Sequence, residues 1–293
     1  MMTVQLSSLI TKRLLNNKLC LIVKLQLTAF DIGGLPSMRK VQKMQIISHQ
    51  EIAPHIYELV LKGDLVKDRW QSGQFVHVKV SELNEPLLRR PLSICQIDQT
   101  LNQLTLIYRV EGSGTQLLAT KKVNEEVDLL GPLGTGFDLS ELQVEETVVL
   151  VGGGIGVPPM YELAQRLFER GNKVIAVLGF RSKADVFYEE AFKAYADVYI
   201  ATMDGSYGFN GNVIEVMKSE SLTFDWVFGC GPKVMLKAID QQYGQIKKGY
   251  LSFEERMACG IGACYACVCE LTNGKMARVC KEGPVFRLGE VMI

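Results

Sequence analysis

The sequence is poor in histidine, carries no net charge and has no long uninterrupted apolar stretch. With only three histidines, His49, His55 and His77, it offers few groups for acid–base catalysis near neutral pH. Lys plus Arg and Asp plus Glu stand at 32 each, so nothing draws the chain in general toward nucleic acid or an anionic membrane. No segment reaches the roughly 18 apolar residues that a membrane span requires. The apolar run Leu19-Cys20-Leu21-Ile22-Val23 follows Lys12 and Arg13 and faintly imitates a secretion signal. Lys18 and Lys24 interrupt it, and no small-residue cleavage site follows. Residues 1–37 are expected to form an extension outside the fold, with Met38 as the alternative start. A weak targeting or membrane segment is the competing reading.

Cysteine is abundant. Of eight cysteines, Cys20, Cys95 and Cys230 are scattered, and the other five crowd into residues 259–280. A disulfide framework suits small secreted domains, whereas 293 residues at 47% apolar composition can build two or three ordinary cores. Clustered thiols in such a chain read as reduced metal ligands, which implies a cytoplasmic address. Cys259, Cys264, Cys267 and Cys280 give C-x4-C-x2-C-x12-C, and the first three match the plant-type [2Fe–2S] loop. Gly260, Gly262, Ala263 and Ala266 are small enough to let the backbone wrap closely and aim amides at sulfur. Zinc is the competing metal, but only Cys264 and Cys267 form a zinc-type pair, and no histidine is near in sequence. Cys280, the fourth ligand, stands much closer to the triplet than in plant ferredoxins, and Cys269 reads as a small buried residue.

The rest of the chain divides by rhythm. Short apolar runs at residues 41–61 (broken near Pro54), 74–80, 91–96, 104–110 and 126–130 predict an antiparallel barrel or sandwich, with a short helix at 115–121. From Thr147 strands and helices alternate: strands at 147–151, 173–180, 198–202 and 225–228, and helices at 158–170, at 184–196, from Asn212 and from Pro232. That order implies a parallel, Rossmann-like α/β sheet covered on both faces. The expected domains are a barrel at 38–141, a nucleotide-binding α/β domain at 142–248 and a small cluster domain at 249–293. The last has too few apolar residues to fold by burial alone, so a bound cluster should stabilise it.

Gly152-Gly153-Gly154-Ile155-Gly156-Val157-Pro158-Pro159 follows a strand and opens a helix, where free amides suit a pyrophosphate. A tight turn without a ligand is the plainer reading. In Arg90-Pro91-Leu92-Ser93, the arginine can clamp a diphosphate and the serine can hydrogen-bond a flavin ring. Gly112-Ser113-Gly114-Thr115 offers a second anion site; each of these elements alone is also ordinary loop or rim chemistry.

Arg90 to Ser93, Gly152 to Pro159 and Cys230-Gly231-Pro232 together resemble the motifs of the ferredoxin–NADP reductase superfamily. Residues 254–269 and 280–286 are more specific, and resemble the electron-transfer subunits of dihydroorotate dehydrogenase B. This resemblance covers residues 38–293 and implies one FAD, one [2Fe–2S] cluster and NAD as the diffusible electron acceptor. It places FAD contacts on Arg90, Pro91, Leu92, Ser93, Ile107, Tyr108, Arg109, Gly114 and Thr115. It places NAD contacts on Gly152, Gly153, Gly154, Gly156, Cys230, Gly231 and Pro232, with Cys230 near the nicotinamide. Leu92 replaces a frequent aromatic, for which Tyr108 is a substitute. The implied partner is an FMN-containing catalytic subunit, in a heterotetramer of two plus two, serving pyrimidine (UMP) biosynthesis.

The expected function is therefore an oxidoreductase subunit passing electrons between catalytic subunit, cluster, FAD and NAD, with no acid–base pair of its own. The same machinery serving a hydrogenase, sulfite reductase or transhydrogenase is the alternative. A cofactor-binding sensor without turnover and a zinc-stapled nucleotide-binding protein are the other classes. Arg181 and Ser182 leave NADP open, because they follow the second strand and can meet a 2′-phosphate.

Overall fold

The computed structural model describes residues 39–81 and 85–293. The expectation for residues 1–37 falls outside them. The first half alternates apolar and polar positions on β1 (Lys40–Ala53), β2 (Ile56–Lys62), β3 (Phe75–Lys79), β4 (Arg90–Asp98), β5 (Gln103–Arg109) and β6 (Glu126–Leu133). These antiparallel strands close as a barrel in the order β1-β2-β5-β4-β3-β6. One face of each strand, including Met44, Ile46, Leu59, Leu61, Val76, Val78, Leu104, Leu106 and Val127, fills the barrel. The opposite faces of β2 and β5 carry Ile56 and Ile107 into a second core shared with the sheet. That two-sided use follows from the period-2 alternation of a strand. The short helix α1 (Ser113–Ala119) crosses between β5 and β6.

The second half begins with β7 (Thr147–Gly153), apolar and buried after its first residue, and helix α2 (Val157–Glu169). It continues through β8 (Lys173–Phe180), α3 (Glu189–Phe192), β9 (Asp197–Thr202), β10 (Phe209–Asn210), α4 (Val213–Ser219), β11 (Trp226–Cys230) and α5 (Lys233–Tyr243). Asn212 caps α4 by accepting the amides of Ile214 and Glu215, while Glu215 returns a carboxylate to the Asn212 amide.

The helix expected at 184–196 is broken. A 3-10 turn, Lys183–Asp185, is separated from the four-residue α3 by Tyr188 at φ 64°. Consecutive positions on a continuous helix diverge by about 100°. The break lets Phe187 pack on Phe180 while Tyr188 turns its ring edge toward Tyr161 at 5.0 Å. The Tyr188 hydroxyl then donates to Glu58 of the barrel at 2.6 Å.

The thiol-rich segment also differs from expectation. The boundary drawn at 248/249 falls inside β12 (Lys248–Ser252), which pairs parallel with β11. After the hairpin β13 (Val268–Glu270) and β14 (Met276–Arg278), β15 (Val285–Arg287) returns antiparallel to β12. The sheet is therefore seven-stranded, in the order β10-β9-β8-β7-β11-β12-β15. Cys267, Ala277, Val279, Cys280 and Phe286 join the core on one of its faces, alongside Phe75 and Leu133 of the barrel. The segment thus borrows its apolar support from the sheet and barrel. Barrel, sheet and thiol loop belong to one compact unit, Met38–Ile293. Among the described residues, no helix is long and apolar enough to cross a membrane.

Phe228 lies fully buried where β7, β11 and β12 meet the residues after the barrel. It is stacked with Tyr250 at 5.8 Å and meets Phe137 edge-on at 5.4 Å. Phe228→Ala should lower unfolding stability by about 3–5 kcal/mol through loss of burial and creation of a cavity. Chemical denaturation followed by tryptophan fluorescence measures this.

Candidate functional site

Three groups of predicted residues converge. The first joins β4 to α1. The guanidinium of Arg90 covers Gly114 so closely that a Cβ there would stand 2.4–2.5 Å from Nε, Cζ and Nη2. Arg90 also donates to the Leu88 carbonyl. Thr115 closes the adjoining turn: its hydroxyl accepts the amides of Glu111 at 3.0 Å and Gly112 at 3.2 Å, and donates to the Gly112 carbonyl at 3.0 Å. A forked cation is thereby laid over a side-chain-free patch of backbone, a fit for a diphosphate.

Ser93 is half-buried on the same strand, and Pro91 faces His77 across it. Leu92 turns against the barrel interior. Ile107 is buried in the core shared with the sheet. Tyr108 does not supply the stacking ring proposed for it. It is 1% exposed, its ring stacks on Tyr57 at 5.8 Å, and its hydroxyl bonds His49 Nε2 at 2.8 Å.

The second group is the glycine-rich turn. A Cβ on Gly156 would stand 2.2 Å from the Cys230 carbonyl oxygen and 2.6 Å from the Gly231 nitrogen. Gly153 is similarly pressed by Pro232 and Met235, and Gly231 by the Gly153 backbone. Two loops at the C-terminal ends of adjacent parallel strands, β7 and β11, are thus interlocked. This is the switch point of the sheet, where open α/β sheets bind nucleotides.

A cleft of about 990 Å³ opens there, lined among others by Gly153, Gly154, Arg109, Pro232 and Asn212. Arg109 reaches from the barrel: its Nη2 lies 3.5 Å from the Cβ position of Gly154, and Nη1 pairs with Glu111 at 3.1 Å. Arg181 and Ser182 are both engaged by Asp185, at 2.9 and 3.0 Å. Since Asp185 lines the cleft, a carboxylate stands where the sequence left room for a phosphate.

Burial raises the Cys230 thiol to about 12, with the Glu254 charge adding to the effect. Burial, and then the neighbouring Glu111, likewise raise the Glu254 carboxyl, against the pull of Arg109. Glu254 was not singled out from sequence as a site residue. Only the return of the chain along β12 brings it beside Cys230 and Arg109.

The third group is the thiol loop. Cys259 Sγ accepts amides from Ile261 at 3.4 Å and Ala263 at 3.3 Å. Cys280 Sγ accepts the amide of Gly262 at 3.1 Å, and Cys267 Sγ that of Cys280 at 3.4 Å. Partial burial works to raise the Cys259 thiol, but amide donors of Ile261, Cys264 and Ala263, with the Cys264 side chain, bring it down to about 6. Burial pushes Cys280 up to about 12, with Cys267 beside it.

Within the loop the Cys264 side chain lies near Cys259, and Cys267 and then Cys259 lie near Cys280. Among the described residues no group of three or more His, Cys, Asp or Glu side chains closes around a single ion point. A C-x4-C-x2-C-x12-C set whose sulfurs accept four backbone amides fits a two-iron cluster better than one tetrahedral zinc. Cys269 packs half-buried against the sheet core, as a small apolar residue would.

Arg278 braces the loop by donating to the Gly262 carbonyl at 2.7 Å and lying 4.9 Å over the Tyr265 ring. His77, remote in sequence from the thiol loop, packs its imidazole against Gly260. No spacing rule in the sequence signals that contact.

Comparison with known proteins agrees with this assembly. Residues 254–292 match the family described as the iron–sulfur cluster binding domain of dihydroorotate dehydrogenase B. Residues 150–241 match the oxidoreductase NAD-binding domain. A Bacillus cereus protein named dihydroorotate dehydrogenase B (NAD(+)), electron transfer subunit, is 52% identical over 260 residues, covering 87% of this chain and 100% of the relative. A Bacillus anthracis protein of the same name matches to the same extent, at 52% identity over 87% of this chain and 100% of its own. Among solved structures, one titled for an NADH-dependent reduced ferredoxin–NADP oxidoreductase superposes with a TM-score of 0.76 at 27% identity, covering 89% of this chain and 91% of its own.

Two substitutions probe the two nucleotide groups. Gly114→Val should displace Arg90 and weaken FAD retention at least tenfold, about 1.4 kcal/mol, measured by flavin fluorescence after gel filtration. Gly156→Ala should abolish NADH-driven flavin bleaching while flavin stays bound, because the Cys230 backbone has no room to yield; stopped-flow absorbance checks it.

Proposed function

The chain belongs to the family of dihydroorotate dehydrogenase B (NAD(+)) electron transfer subunits, and from that premise we propose the following assignment of its parts. It is an oxidoreductase subunit that passes electrons from a catalytic dihydroorotate dehydrogenase subunit through a [2Fe–2S] cluster and FAD to NAD. The catalytic subunit carries FMN, the assembly contains two of each subunit, and it works in the cytoplasm in pyrimidine (UMP) biosynthesis. Cys259, Cys264, Cys267 and Cys280 hold the cluster. Arg90, Ser93, Arg109, Gly114 and Thr115 hold FAD, with Pro91, Leu92, Ile107 and Tyr108 shaping the wall behind it. Gly152, Gly153, Gly154, Gly156, Cys230, Gly231 and Pro232 form the NAD seat.

When bound, FAD supplies hydride exchange with the nicotinamide and single-electron exchange with the cluster; the protein supplies position and electrostatics. Arg90, laid over Gly114 at the start of α1, would neutralise the flavin's diphosphate. Arg109, reaching from the barrel to the glycine-rich turn, holds positive charge over the dinucleotide cleft. The interlocked Gly156 and Cys230 loops set the depth to which a nicotinamide can enter. Cys230 stays a neutral thiol at working pH, so it adds no negative charge where hydride density moves. Asp185 disfavours a 2′-phosphate, in keeping with NAD. At the other end, Cys264, Tyr265 and Ile261 lie exposed on the thiol loop, where a partner subunit can approach the cluster.

The observation that carries this reading is the set of four thiols, three of them accepting backbone amides, on a loop that rests against the same barrel as Arg90. The likeness to the ferredoxin–NADP oxidoreductase structure keeps a reductase of another complex in view. That structure is 27% identical, against 52% for the dihydroorotate dehydrogenase relatives.

Cys264→Ser provides the test. The variant should keep FAD and reduce artificial dyes with NADH at the wild-type rate. Mixed with the catalytic subunit, it should lose dihydroorotate-driven NADH formation by at least about 100-fold. An undiminished rate in that assay removes the cluster from the path.

A further inference from the structure

His77 stands on β3 with its side chain outside the barrel, 0% exposed, and neither ring nitrogen has a hydrogen-bond partner. Buried imidazoles ordinarily find partners, because an unmet buried polar group loses its hydration without compensation. An apolar side chain would fill this site at no such cost. Burial, and then the nearby Arg89, lower the His77 pKa to about 4, so the ring is neutral with one N–H and one lone pair.

The ring points at one place. Its Cε1, Nδ1 and Nε2 lie 2.6, 2.7 and 2.9 Å from where a Cβ on Gly260 would stand. Gly260 is next to Cys259 and sits at φ 69°, so the residue between thiol and turn is shaped to receive this ring. The other side chains that donate into the loop are already committed: Arg39 to the Ile261 carbonyl at 3.2 Å and Arg278 to that of Gly262 at 2.7 Å. The amides of Ile261, Gly262 and Ala263 serve the Cys259 and Cys280 sulfurs. His77 brings to the loop a buried side-chain N–H that has no partner. Across the strand it is in register with Pro91 of the flavin motif.

We propose that the His77 N–H is the barrel's hydrogen bond to the sulfur of the cluster bound by the thiol loop, making His77 a positioning residue for that cluster. The proposal rests on the cluster assignment above. A donor to cluster sulfur stabilises the extra negative charge of the reduced state and so raises its potential. It also fixes the loop to the strand that pairs with the flavin motif, so both ends of the internal electron step share one support.

The test uses the full chain with its cofactors, grown with ¹⁵N-histidine and reduced to the paramagnetic state. An iron count and the reduced-cluster EPR signal first report whether the cluster exists, independently of His77. Pulsed EPR should then detect coupling to histidine nitrogen that vanishes in His77→Gln and survives in His55→Gln. His77→Leu should retain iron and flavin, yet shift the cluster's one-electron equilibrium about tenfold toward oxidised, near 59 mV. His77→Asn should restore part of that shift. A reduced wild-type cluster with no histidine-nitrogen coupling overturns the proposal, and needs no variant to fold. An unchanged potential in His77→Leu overturns it equally.

Discussion

The close contact between Gly156 and the Cys230 carbonyl governs the nucleotide half of the molecule. Two backbone segments meet there at a separation that no side chain can share, since a Cβ would stand 2.2 Å from oxygen. The contact brings together the ends of β7 and β11, neighbours in the sheet but separated in sequence by all of α2, β8, α3, β9, β10 and α4. Once they touch, the cleft beside them has a backbone floor on both sides. Arg109 enters it from the barrel, and Glu254 is drawn beside Cys230 by β12. A nucleotide seat follows from sheet topology and glycine, with few functional side chains of its own.

The thiol loop meets a different physical demand. Thiolates gathered in one place repel one another unless positive dipoles are turned toward them. The loop meets this with backbone amides, and it needs left-handed turns at Gly260, Gly262 and Tyr265 to aim them. Glycine takes two of those positions. Tyr265 takes the third, and its ring is held from above by Arg278. The strained turn is therefore paired with a cation that stiffens the same loop.

These two demands explain what could be read from sequence. The barrel strands and the parallel strands were legible because period-2 and continuous apolar patterns translate directly into half-buried and doubly covered strands. Asn212 as a helix start, the glycine-rich turn and the four thiols were legible because local chemistry dictates them. What escaped depended on contacts distant in sequence. The 184–196 helix was lost to Tyr188, which gives up helical geometry to reach Tyr161 and Glu58. Tyr108 looked available as a flavin stack, but its partners Tyr57 and His49 lie on other strands. His77 carried no motif at all, and Glu254, though it opens the stretch 254–269, carried no signal that it stands beside Cys230.

The placement of β12 and β15 shows why the thiol segment is built into the sheet. A separately folded cluster module would hang on a linker, and its distance to the flavin motif would fluctuate with that linker. Here the loop leaves the sheet through β12 and re-enters through β15, so both its ends are hydrogen-bonded into the framework that holds the nucleotide cleft. Between those ends, Thr135 donates its amide to the Gly283 carbonyl at 2.6 Å and its hydroxyl to the Lys281 carbonyl at 3.3 Å. The loop is thereby pinned to the barrel as well. Positional fluctuation between the cluster loop and the flavin motif is limited to that of packed strands. Its tip, around Cys264 and Tyr265, is nevertheless exposed, so a partner can reach a thiol that the framework holds in place.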